Sequence, residues 1–154
     1  MGGESLRTRL ARWRFNVWPC FRGTGGRVAF IASDWREIRV RLPLSWRTRN
    51  YVGTTFGGSL YGAVDPFFML MLMKNLGPGY VVWDKAATIR FRRPGRSLLH
   101  ATFLLDVSEL EEIRRLLREQ PKVDRTYRIH LVDEAGEVHA EVDKVIHIAL
   151  NQPS

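Results

Sequence analysis

Cysteine is nearly absent from this chain. Cys20 stands alone among 154 residues, so no internal disulfide can form, which fits a reducing compartment. Long apolar runs are missing too. In the middle of the chain the uninterrupted stretch is only Phe67 to Met73, bounded by Asp65-Pro66 and Lys74, far short of the ~18 or more residues of a membrane span. The N-terminus has no continuous apolar region because Arg7, Arg9, Arg12 and Arg14 break it up, so a cleaved signal peptide is not expected, and we place the protein in the cytoplasm. Thr24-Gly25-Gly26 is not followed by Gly-Lys-Ser/Thr, which sets a phosphate loop aside. There is no Gly-x-Ser-x-Gly elbow for a serine hydrolase. His100, His130, His139 and His147 fall on separate strand segments without ligand spacing, so no metal site is expected.

What is present fits one globular domain over residues 1–154: 45% of the residues are hydrophobic, and the length suffices for a sizeable core. The net charge of +8 is uneven. Residues 1–50 carry eleven Arg, no Lys and three acids (+8), residues 51–107 six bases and three acids (+3), and residues 108–154 seven bases and ten acids (−3). A positive front half points to an anionic partner or to a solvated arginine-rich surface. Its aromatics Trp13, Trp18, Phe21 and Trp35 show no RNA-binding pattern, so nucleic acid is not expected.

Leu6, Leu10, Trp13 and Val17 share one face of an N-terminal helix over about residues 5–19 that ends at Trp18-Pro19,. Such a face lies on a membrane surface or packs on its own domain, and we expect the second. The core, about 27–150, begins with a hairpin: Val28, Phe30 and Ala32, then Ile38, Val40, Leu42 and Leu44 alternate with their neighbours,. Phe56 to Asn75 opens with two glycines, is apolar nearly throughout, and stops before Leu76-Gly77-Pro78. It reads as a central helix without a wet face. Four strands follow, around Ile89, Ala101, Ile129 and residues 138–150. A short polar helix opens at the capping box Ser108 to Glu111 and runs to about Glu119,. A curved antiparallel sheet wrapped round a long apolar helix would cover it.

Three motifs carry a resemblance: Asn50-Tyr51-Val52-Gly53-Thr54-Thr55-Phe56-Gly57-Gly58, Asp65-Pro66-Phe67-Phe68, and Val82-Trp83-Asp84-Lys85-Ala86-Ala87. Over roughly residues 13–149 the chain resembles the hotdog-fold thioesterases, in particular their branch known as a hotdog domain of unknown function, also described as an acyl-CoA thioesterase. In phenylacetate-pathway-type members the helix opens with His-Gly-Gly, and a catalytic Asp lies nine residues after that His. Phe56 stands at the His position and Asp65 at the Asp position. The resemblance implies an α+β hotdog fold, a homodimer that often doubles to a tetramer, active sites at the dimer seam, and an acyl-CoA or acyl-carrier thioester substrate. Coenzyme A would enter only as part of that substrate, with no other cofactor.

The residues fit that chemistry. Asp65 is the one acid inside the apolar stretch, and it can activate water or attack directly,. The amides of Gly57 and Gly58 at the helix start can hold the developing oxyanion. Along one helix these groups stand ~12 Å apart at ~1.5 Å per residue, so one thioester can meet both only if they come from different protomers. Asp before Pro also reads as a helix N-cap, and a kinked helix would serve both roles. Asn50 can hold a loop or a water, or simply form a turn. Phe56, Thr55, Ser59 and Tyr61 can line the site. Arg90, Arg92, Arg93 and Arg96, with Thr88 on the same strand, either clamp coenzyme A phosphates or form a solvated strand end. Met69, Met71 and Met73 are read as core. Hydrolysis of an acyl-CoA thioester leads. A non-catalytic acyl-binding protein and a basic nucleic-acid-binding protein are the alternatives.

Overall fold

Alternation along six segments makes one antiparallel sheet that curls around a helical centre, the hotdog architecture. A computed structural model describes residues 2–151; residue 1 and residues 152–154, the ends of the expected domain, lie outside it. The elements are α1 (Leu6–Val17), α2 (Pro19–Gly23), β1 (Arg27–Ile31), β2 (Glu37–Leu42), α3 (Gly57–Gly62), α4 (Phe67–Leu76), β3 (Tyr80–Phe91), β4 (Leu99–Leu104), α5 (Val107–Glu119), β5 (Lys122–Val132) and β6 (Val138–Leu150). The strand order is β1-β2-β4-β5-β6-β3. Among the described residues no helix is long and apolar enough to cross a membrane.

Because side chains alternate across a strand, one face of this sheet is apolar. Ile38, Val40, Leu42, Leu99, Phe103, Ile129, Leu131, Val142, Ile146 and Ile148 are all buried on it. Against that face α4 packs Phe67, Phe68, Met71, Leu72 and Leu76. The Phe67 ring sits 5.1 Å from Phe103 and 5.4 Å from Phe21 between ring centres. Burying one such ring contributes about 1.5–3 kcal/mol. Gly77 ends α4 with φ of 92° and its amide donating 3.1 Å to the Met73 carbonyl, a backbone that a side chain rarely tolerates.

Four expectations need correction. Met73, read as core on a helix without a wet face, is 46% exposed with the exposed Lys74 beside it. The central stretch is two helices, α3 and α4, separated by a turn over residues 63–66. Pro66 has no N–H to continue α3 and disfavours helical angles at Asp65. The chain tightens instead, Val64 N donating to Tyr61 O at 3.0 Å, and restarts with Leu70 N donating to Pro66 O at 3.1 Å. Next, α5 starts before the proposed capping box. Asp106 is its N-cap, without a side-chain bond, and the helix buries Leu110, Ile113 and Leu117. Finally, α1 turns the other way. Ser5 and Thr8 cap it reciprocally at 3.2 and 2.9 Å, and it packs inward through Thr8, Ala11 and Phe15. Leu6, Leu10, Trp13 and Val17 face solvent.

The last strand in the order, β3, is paired only with β6. Every residue from Trp83 to Thr88 is exposed, so a long row of backbone donors and acceptors stands open at the sheet edge.

Candidate active site

On the core face of β6 the sequence runs Ala140, Val142, Lys144, Ile146, Ile148, and all five are buried. Lys144 therefore occupies a position where its strand otherwise demands an apolar side chain. With its side chain 1% exposed, its ammonium needs partners. Its Nζ lies 2.6 Å from Asp65 Oδ1, 3.1 Å from Asp84 Oδ2 and 3.2 Å from the Tyr61 hydroxyl. Tyr61 in turn donates to the same Asp65 oxygen at 2.6 Å.

Three elements bring these groups together. Tyr61 lies on α3, and Asp65 sits one helical turn later, in the break that Pro66 imposes. Asp84 is on β3, opposite Ile146, and a bulge between Asp84 and Ala86 brings Ala87 opposite Lys144. Asp65 does not cap α4: Pro66 holds the N-cap position. Its carboxylate points to Lys144 and Tyr61, which engage Oδ1 only. The Asp65 side chain is 43% exposed and that of Asp84 29%, so both carboxylates reach water from a buried cation.

The electrostatics follow from this packing. Burial pulls Lys144 towards the neutral form, but Asp65, Tyr61 and Asp84 more than offset it, and its pKa stands above that of an ordinary lysine,. Burial also lifts Asp84 above the usual carboxylate range; Lys144 pulls it part of the way back and the Asp65 charge adds to the rise. Tyr61 is raised by burial and by its bond to Asp65. At neutral pH Lys144 is an ammonium and Tyr61 a phenol, two fixed donors on one carboxylate oxygen.

The glycines belong to a second place on the chain. A cavity of about 380 Å³ is lined by Asn50, Thr55, Gly57, Phe91, Arg92, Arg93 and Gly95 among others, and Asp65 is not one of its lining residues. Phe56 is the α3 N-cap. As the first helical residues, Gly57 and Gly58 carry amides without an intrahelical acceptor. The absent side chains leave room for two rings. A β-carbon on Gly57 would meet Phe91 Cζ at 3.2 Å, and one on Gly58 would meet Phe56 Cε1. Phe91, 61% exposed, lines the cavity, and Phe56, 55% exposed, lies against Gly58.

Asn50 closes the loop before it. Its Oδ1 accepts from Val52 N at 3.1 Å and Thr54 N at 2.9 Å, and Nδ2 donates 2.9 Å to Thr54 Oγ1. That is the loop-holding role, with the side chain committed locally. Thr55 is buried and joined to Gly95 through its amide at 2.8 Å. Ser59 is buried on α3. The turn at Pro94-Gly95 is braced by His139, whose ring nitrogens lie 3.0 Å from the Pro94 carbonyl and 3.1 Å from Asp133.

The arginines divide. Arg92 and Arg93 line the cavity, Arg92 also lying 3.4 Å from Glu141 and Arg93 2.9 Å from Glu137. Arg96 is exposed near the same turn. Arg90 is not brought to either place. It lies on the outer sheet face with Thr88, 2.8 Å from Asp143.

Lys144 is not singled out by any motif, and Asp84 stands in the third motif without a role. The usable signal for both is register: Lys144 shares a face with Val142 and Ile146, and Asp84 shares one with Val82, so each is a charge at an inward position.

The model of the family described as "Domain of unknown function (DUF4442)" matches residues 7–148. Among solved structures, a Pseudomonas aeruginosa protein of unknown function, PA5026, described as a "Probable Thioesterase", is 24% identical with a TM-score of 0.81, covering 97% of this chain and 100% of that one. The E. coli PaaI protein from the phenylacetic acid degradation operon is 20% identical, TM-score 0.63, covering 94% and 93%. Thioesterase HI1161 from Haemophilus influenzae is 14% identical, TM-score 0.66, covering 89% and 87%. No curated protein matches the chain.

Proposed function

The chain belongs to the DUF4442 family, a hotdog thioesterase-like family, and we propose that it hydrolyses acyl thioesters, with acyl-CoA as the substrate class, at a site completed by a second copy. One observation carries this reading. A half-exposed carboxylate held on one oxygen, and a glycine-lined cavity with free helix-start amides, occur on the same chain but do not face one cavity. By the rise of α3 the amides and Asp65 stand on the order of 10 Å apart, too far for one thioester carbonyl and its attacking oxygen.

The open edge of β3 supports the second copy. Antiparallel pairing of β3 with its equivalent about a twofold axis removes two exposed edges at once. It also sets the Asp84 end of one strand beside the Phe91 end of the other, and with it the carboxylate cluster beside the partner's glycines.

In that arrangement Lys144 and Tyr61 orient Asp65 through Oδ1. Oδ2 takes a proton from a water whose oxygen adds to the thioester carbon, or itself adds there to give an acyl anhydride that water then cleaves. By either route the C–S bond breaks and coenzyme A leaves as the thiol. The amides of Gly57 and Gly58 receive the charge that develops on the carbonyl oxygen. Arg92 and Arg93 line the cavity and Arg96 is exposed near the same turn, where guanidinium groups suit the phosphates of coenzyme A. A specific feature favours a second reading, acyl-CoA binding without turnover: the Phe56 ring covers Gly58.

The test is a hydrolysis screen across acyl-CoA chain lengths with Asp65→Asn as the blank. We expect a loss on the order of 100-fold or more in kcat. Gly57→Pro removes one amide donor at a helix position that accepts proline and should cost a comparable factor. Mixing the two inactive variants should restore part of the activity, because hybrid dimers hold one intact site. Failure to complement defeats the shared site, and calorimetric binding without hydrolysis in the parent protein defeats the enzyme reading.

A further inference from the structure

Helix α1 has two sides with different consequences. Leu6, Leu10, Trp13 and Val17 are spaced to share one face, and that face points away from the protein, with exposures of 82%, 57%, 61% and 42%. The next residue, Trp18, is 55% exposed. At ~100° per residue, Arg7 and Arg14 run along one margin of this stripe and Arg9 along the other. The helix carries no acid. The neighbouring Glu4 is engaged by Arg12 at 2.7 Å, and among the described residues Arg7, Arg9 and Arg14 have no ion-pair partner.

We propose that the outer face of α1 docks on an anionic lipid bilayer, lying in the plane of the surface with its leucines and tryptophans in the headgroup–acyl boundary and its arginines on lipid phosphates. An apolar helical face with cationic margins is the composition such surfaces retain. Beside the stripe, a cavity of about 380 Å³ is lined by Phe15, Trp18, Trp35 and Leu70, with Arg14 and Lys74 among its walls. The apolar surface and its flanking cations thus extend off the helix. A second copy is a poorer occupant: a twofold contact through this stripe would set arginine margins against arginine margins, without an acid to separate them. Docking on lipid does not depend on the thioesterase reading, and neither result decides the other.

The full chain should co-sediment with vesicles of phosphatidylcholine and phosphatidylserine, be released by salt, and shift its tryptophan emission to the blue. Vesicles of phosphatidylcholine alone should retain little. Leu10→Ser with Trp13→Ser should abolish retention without lowering the melting temperature, since both side chains lie outside the core. Arg7→Gln and Arg14→Gln should each weaken it by on the order of fivefold. No retention on anionic vesicles at low salt overturns the proposal, as does retention that the arginine changes leave intact. A fall in particle mass caused by Leu10→Ser with Trp13→Ser, with vesicle binding unchanged, overturns it in favour of a contact between copies.

Discussion

On its core face β6 presents Lys144 to Asp65 and Asp84. On its outer face, one residue earlier, Asp143 and Glu141 hold Arg90, Arg128 and His130. The two clusters use the same kinds of groups with the exposure reversed. Inside, the cation is 1% exposed and its carboxylates 43% and 29%. Outside, the carboxylates are 18% and 12% exposed, and Arg90 and Arg128 46% and 55%. The group that reaches water is the group a cluster can offer to a ligand. The core cluster offers carboxylate with its cation anchored behind it; the outer one offers arginine and satisfies strand-edge charge. An ion pair thus acquires chemical use from which partner is buried.

The sharpest way to break that contrast is Lys144→Met. It keeps the volume and leaves Asp65 and Asp84 facing an apolar wall. Losing one member of a buried pair costs about 3–5 kcal/mol when both are desolvated. With both carboxylates partly wet, we expect about 2–3 kcal/mol by urea unfolding at neutral pH, together with loss of most hydrolysis because Oδ1 loses its charged donor and keeps only the Tyr61 hydroxyl. The alkaline side supplies the sign. Because the folded-state pKa of Lys144 lies above its ordinary value of 10.5, its contribution is fully present below that value and is lost as pH rises through the folded one. Parent and variant should therefore converge in stability only at strongly alkaline pH, and convergence near neutrality would mean that Lys144 stabilises nothing.

The arginines sharpen the same contrast with a smaller effect. Arg93→Ala, at the cavity, should raise KM for acyl-CoA several-fold with kcat little changed, the signature of lost uniform binding. Arg90→Ala, on the outer face, should leave KM within a factor of about two, since a solvated ion pair rarely matters beyond ~1 kcal/mol. Equal effects from the two would show that phosphate recognition does not depend on the cavity.

Much of this was legible in the chain, and the limits have physical reasons. Period-two alternation through Ile38-Val40-Leu42 and Leu99-Ala101-Phe103 gave the strands because each has one buried face. The apolar run Phe67 to Met73 gave the core helix, although it could not say that Met73 would join Lys74 on a wet side. Asp65-Pro66 marked a break but could not say that the carboxylate turns to a strand far along the sequence, because β6 meets that turn only once the sheet has curled. The α1 stripe was visible as a face, yet spacing alone does not tell which way a face points. Lys144 was passed over because a charge in an alternating strand is normally assigned outward, and here register overrides that habit.

The smallest effect separates the outer cluster from the inner by acid rather than alkali. Arg128 and Arg90 hold the Asp143 carboxyl well below the usual range, at about 2. A lowered folded-state pKa gives stability that is present above the ordinary value of 3.8 and lost as pH falls through about 2,. Asp143→Asn should remove that contribution, costing no more than ~1 kcal/mol at neutral pH because the arginines are solvated, and less at high salt. Its unfolding curves should match those of the parent more closely as pH is lowered, whereas Lys144→Met should show its convergence only on the alkaline side. If Asp143→Asn instead impaired hydrolysis as strongly as Lys144→Met, the outer face would be acting on the site through β6, and the division of labour between the two faces would be wrong.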